Sequence, residues 1–163
     1  LRYYSVRAVK RGAVMSELGR KIANAALGWL GTPHVNQARV KHKGVDCGML
    51  LIASLEDAGA IPKNAIKVEP YSNEWHLHRS TEWFKSVVEQ HCERVSELQE
   101  GDFIMYQYGR CISHGAVYIG DGVVCHSLIG QGCILSNMDE VIFLDALGQS
   151  RVRGYYRFKG AME

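Results

Sequence analysis

The sequence predicts an α+β domain in which N-terminal helices pack on a central antiparallel sheet. Three observations carry this expectation. Apolar residues recur at helical spacing in the first half, strand-like runs with glycine turns fill the second, and no βαβ alternation links them. The 163 residues suit one domain, of a size that buries roughly 70% of its unfolded surface.

Leu18, Ile22, Ala25, Ala26, Trp29 and Leu30 place a helix over 16–30, which Gly31-Thr32-Pro33 stops. Residues 34–46 are polar and basic, with Gly44 as a hinge. A second helix is expected over 47–57, ended by Gly59 with Pro62 beyond. Residues 62–80 read as a long loop carrying Tyr71, Trp75, His76 and His78. Trp83, Phe84, Val87 and Val88 then mark a third helix over 81–91. Gly101-Asp102 opens a strand over 103–106. His114–Ile119 and Val123–Leu128 flank Gly120-Asp121-Gly122 as a hairpin, and shorter strands follow near 133–135 and 153–158.

Composition narrows the function classes. Apolar residues make up 47% and charged residues 22%, as in an ordinary soluble globular protein. A net charge of +2 gives no nucleic-acid footprint. No apolar run reaches the ~20 residues of a membrane span. The first fourteen residues carry Arg2, Arg7, Lys10 and Arg11 and no acid, but no apolar segment follows, so they do not read as a signal peptide. Met15-Ser16 is an alternative start. Residues 1–15 are therefore expected to be an N-terminal extension or expression remnant, and 16–163 the single domain. The five cysteines (Cys47, Cys92, Cys111, Cys125 and Cys133) have no regular spacing, which argues against a disulfide framework and for mostly buried thiols in a reducing compartment. Cys111-x-x-His114 and His76-x-His78 use zinc-ligand residue types, but without a Cys-x-x-Cys pair no metal or other cofactor is expected.

The stretch VDCGMLLI puts Cys47 at the start of the second helix. A thiol there meets unpaired N–H groups and the positive end of the helix dipole. Thiols so placed can have pKa values depressed to roughly 3.5–7.5, so a thiolate is expected. Gly48 leaves an open N–H of the kind an oxyanion needs. The competing reading is a small buried hydrophobe at a helix end. A base elsewhere decides between them. His114 and His126 lie twelve residues apart in the two hairpin arms. They share a face if the loop holds an odd number of residues, as a Gly-Asp-Gly loop does. They then become diagonal neighbours, about 7–8 Å apart at Cα, supplying a base and the group that orients it. Singly, each histidine would read as a partly buried strand residue.

Asp46-Cys47-Gly48 opening a helix, the segment HGAVYIGDG from His114, and His126 beyond it resemble the NlpC family of cell-wall cysteine peptidases. Gly31-Thr32-Pro33 and Gly101-Asp102 add to the likeness, which covers residues 18–158. It implies a papain-like NlpC fold with Cys47, His114 and His126 as catalytic residues. The implied reaction is hydrolysis of an amide bond in peptidoglycan stem peptides, between D-glutamate and diaminopimelate. The chain departs from the family twice: His34 stands where most relatives have a tyrosine, and glycine follows the cysteine directly in place of serine. The segments GTPHVNQARVKHKGVDC and YSNEWHLH are similar to the branch found in phage tail tips, prophages and gene-transfer agents. That branch implies tail-tip proteins as partners, synthesis in the bacterial cytoplasm, and action in the virion tail or periplasm.

Around this centre, His34 and Gln37 are candidate oxyanion donors, and Trp75 and His78 candidate groove residues. His34 and Gln37 also read as exposed loop positions, and Trp75 as a cover over the core. Lys41, Lys43 and Arg39 read as a solvated face. Two alternatives stay open: a catalytically silent structural tail-tip protein, favoured by the missing tyrosine, and an acyltransferase using the same dyad.

Overall fold

The computed structural model describes residues 16–70 and 83–161. Helix α1 spans Glu17–Leu27. Its N-cap Ser16 accepts a hydrogen bond from the Gly19 N–H at 2.9 Å, which satisfies one of the orphan amides of the first turn. The helix ends three residues before the predicted Leu30, because Gly28 caps it and Trp29 turns in to bury itself and donate its indole N–H to Asp57. Strands β1 (Arg39–Val40) and β2 (Gly44–Val45) form a small hairpin. Gly44 is thus no hinge. It packs so closely that an added Cβ would lie 2.8 Å from that of Val35.

Helix α2 spans Cys47–Asp57 and α3 spans Trp83–His91. The large sheet comprises β3 (Cys92–Val95), β4 (Phe103–Tyr108), β5 (Cys111–Gly120), β6 (Val123–Leu128), β7 (Gly132–Asn137) and β8 (Val152–Phe158). These strands are ordered β3-β8-β4-β5-β6-β7, and every neighbouring pair is antiparallel. This is the α+β arrangement read from the sequence. Strand β3 was not anticipated, because Cys-Glu-Arg-Val carries no alternation long enough to stand out from the helix before it. No helix among the described residues is long and apolar enough to cross a membrane.

The period-2 alternation of the strands divides the core. Phe103, Met105, Val117 and Tyr156 pack with Ile22, Leu50, Leu51 and Leu55 of the helices. Ile104, Tyr106, Ala116 and Val124 form a second cluster closed by Phe143. The β5–β6 turn has two residues, Asp121 and Gly122, both at positive φ. The register then shifts by one between Tyr118 and Gly120. The expected three-residue loop is replaced by a two-residue turn plus a bulge, and the parity is the same: His114 and His126 share a face.

Candidate active site

Cys47 is the first residue of α2 and is half-buried at the cavity wall, whereas the other four cysteines are buried. The carboxylate of Asp46, the N-cap, accepts from the Met49 N–H at 2.8 Å and from the Gln37 N–H at 2.7 Å. This capping changes the electrostatics expected from sequence. The positive helix end is already occupied by a buried carboxylate adjacent to the thiol. Burial, reinforced by Asp46, pushes the Cys47 thiol up to about 12, and the amides of Gly115, Gly48 and Cys47 only partly oppose this. The expected thiolate is therefore corrected to a thiol, whose proton rests on the Ser113 carbonyl at 3.6 Å.

His114 follows Ser113 on β5. Burial holds its pKa well below the usual imidazole value, with His126 and His34 adding to the effect. Its Nε2 lies 2.9 Å from Nδ1 of His126, and Nε2 of His126 lies 2.8 Å from the Ser136 hydroxyl. With His114 Nε2–H donating to His126 and His126 Nε2–H donating to Ser136, every contact is a hydrogen bond and His114 Nδ1 keeps its lone pair. Burial lowers the His126 pKa to about 4, so this ring serves as a neutral acceptor across the neutral range. Phe143 and Tyr106 pack against the pair, and the Tyr108 ring meets His114 edge-on at 5.7 Å.

A cavity of about 320 Å³ brings Cys47, Gly48, His114, His34 and Asp46 together. Leu55, Val68 and Val88 give it an apolar wall. His126 lies behind it, fully buried. Gln37 does not line it; its backbone is at positive φ and spent on Asp46. Trp75 and His78 lie outside the described residues. Sequence reasoning missed Ser136 and Ser127, each a buried hydroxyl on a mainly apolar strand. That mismatch of polarity with burial was the only signal available.

The fold thus sets a cysteine at a helix N-terminus and a relayed histidine on an antiparallel sheet around one cavity, the papain-like NlpC arrangement expected from the sequence. Residues 31–152 match the NlpC/P60 family model, and the chain belongs to that family. Similar solved structures include an NlpC/P60 family protein from Bacillus cereus ATCC 10987 (19% identity, TM-score 0.58, 88% of this chain and 41% of that one). The NlpC/p60 domain of the peptidoglycan hydrolase SagA is similar at 15% identity and TM-score 0.56, over 86% of this chain and 98% of that one. RipD from Mycobacterium tuberculosis, described as a non-catalytic NlpC/p60 domain protein adapted to peptidoglycan binding, matches at 16% identity and TM-score 0.50, over 86% and 95%. The chain spans less than half of the Bacillus protein. A comparison with curated proteins gave no match. At these identities the likeness is one of fold.

The charge state of Cys47 leads to a measurable expectation. A thiol with a raised pKa forms thiolate only as pH climbs toward that value. Iodoacetamide alkylation of Cys47 should therefore quicken by about tenfold per pH unit from pH 6 to 9, with no plateau. Asp46→Asn removes the neighbouring charge and should move the profile to lower pH. A rate independent of pH over this range would instead reveal a preformed thiolate–imidazolium pair.

Proposed function

We propose that this chain is a cysteine peptidase that hydrolyses an amide bond in peptidoglycan stem peptides, the D-glutamyl–diaminopimelate bond. The observation that carries the proposal is the convergence of Cys47 and the His114–His126–Ser136 relay on one cavity. Cys47 Sγ attacks the carbonyl carbon as its proton passes to His114 Nδ1. The amides of Cys47 and Gly48 at the start of α2 receive the oxyanion. His114 then protonates the leaving amine, giving a thioester. A water attacks the thioester, its proton goes to His114, and the thiol is restored. Because thiol and imidazole both rest neutral, proton transfer accompanies attack. His126 supports the imidazolium by accepting its Nε2–H.

The test is incubation with purified peptidoglycan and mass analysis of the fragments. Wild type should release fragments ending in the freed diaminopimelate amine, and Cys47→Ala should release none. Identical fragments from both would sink the reading.

A second reading, a silent structural or peptidoglycan-binding protein, is favoured by His34 in place of the family tyrosine and by the non-catalytic description of RipD. It expects peptidoglycan to bind and remain intact. The proposal extends to a phage tail component made in the bacterial cytoplasm and acting in the periplasm. This part rests on the resemblance of the Gly31–Cys47 segment, and tail genes beside its own gene would support it.

A further inference from the structure

His34 stands on the segment between α1 and β1, half-buried in the cavity wall. Its Nδ1 lies 2.9 Å from the hydroxyl oxygen of Ser127 on β6. That same oxygen lies 2.8 Å from the Val45 carbonyl. Ser127 is 1% exposed, so water does not mediate either contact. A serine hydroxyl has one proton, and a carbonyl can only accept. If the hydroxyl donated to His34, two oxygen lone pairs would face each other at 2.8 Å with no proton between them. The proton therefore belongs to Val45, the hydroxyl oxygen accepts, and His34 carries its hydrogen on Nδ1. Burial favours the neutral ring. With the hydrogen on Nδ1, Nε2 is a bare lone pair.

Such a nitrogen accepts and cannot donate. An oxyanion needs a donor, so His34 does not take over a hydroxyl's part there. No Lys or Arg lines the cavity among the described residues, and the Asp46 carboxylate does. The local field therefore favours a donor, neutral or cationic. We infer that His34 is a specificity-determining residue whose Nε2 accepts a hydrogen bond from an N–H group of the substrate, with Ser127 fixing the tautomer that makes this possible. The donor is either a peptide amide or a free ammonium of the stem peptide. The inference rests on the peptidoglycan reading for its substrate class and on the His34–Ser127–Val45 chain for its chemistry.

Binding in the Cys47→Ala background tests it without requiring turnover. The probe is the tripeptide L-alanyl-γ-D-glutamyl-diaminopimelate, titrated by calorimetry. His34→Phe removes the acceptor and should weaken binding about tenfold, the worth of one buried hydrogen bond. His34→Gln, whose carbonyl can occupy the Nε2 position, should stay within about threefold of the parent. Acetylating the alanine amine, or methylating the scissile amide nitrogen, should reproduce the Phe loss on whichever group is the donor. Ring ¹⁵N spectra give a second, ligand-independent readout. His34 should show a protonated Nδ1 and a bare Nε2, and Ser127→Ala should populate the opposite tautomer. The inference is overturned if Nε2 carries the proton in the native protein. It is equally overturned if His34→Phe binds the tripeptide as well as the parent does, including the case in which neither binds. Should His34→Phe instead lower kcat of the Cys47-intact enzyme about 100-fold at unchanged Kd, His34 is an oxyanion donor. Intact peptidoglycan together with the predicted binding pattern would leave this inference standing and remove only the hydrolase reading.

Discussion

His126→Ala should lower kcat by about 10²–10⁴-fold and leave KM almost unchanged. His126 is completely buried behind the cavity, so it does not touch substrate. It acts on His114 through the 2.9 Å contact between Nδ1 and Nε2. Without that acceptor, His114 can rotate or place its proton on Nδ1, the nitrogen that must take the thiol proton. His126→Asn offers a carbonyl to the same Nε2–H and should keep part of the rate. A ring that merely fills space would give the reverse order, since Asn leaves a buried amide beside Phe143 and Ala only a small cavity. Steady-state kinetics on both variants, with melting curves to control for folding, decide the matter. Near-full activity in His126→Ala would remove it from the relay.

Arg157→Ala should destabilise the fold by about 3–5 kcal/mol. Asp102 is 1% exposed where the chain enters β4. Its two oxygens accept from Nε and an Nη of Arg157, each at 2.8 Å, and one also takes the Gln99 N–H at 2.7 Å. Burial raises the Asp102 pKa and the guanidinium opposes that rise. Removing Arg157 leaves a buried carboxylate with one remaining partner, so its pKa climbs further. A carboxyl whose folded-state pKa is raised binds its proton more tightly when folded, so the variant should regain stability as pH falls toward that pKa. Asp102→Asn added to Arg157→Ala should restore much of the loss, because the unpaired charge is gone. Urea unfolding of the two variants at pH 5 and pH 8 tests both statements. A loss below 1 kcal/mol would mean that water reaches Asp102.

Local signals marked out much of the architecture. The apolar run after Cys47 marked the start of a helix, Gly59 its end, and the even spacing of His114 and His126 their common face. Each depends on short-range sterics, on hydrogen bonding within a few residues, or on strand parity, all written in consecutive residues. Boundaries suffered where a distant partner intervened: Trp29 left the first helix to reach Asp57, and Gly44 became a packing site beneath Val35 rather than a hinge.

The sequence by itself determined the fold class, the place of Cys47 at a helix start and the pairing of two histidines, because periodicity, helix-ending residues and turn parity are properties of neighbouring residues. Only the tertiary structure decided the charge state of Cys47, the hydroxyl behind His126 and the tautomer of His34. Ser127 meets His34 across 93 positions and Val45 across 82. The thiol is held neutral by desolvation in a cavity assembled from both halves of the chain. Desolvation and proton placement follow from which atoms surround a group, and most of those atoms are remote in sequence.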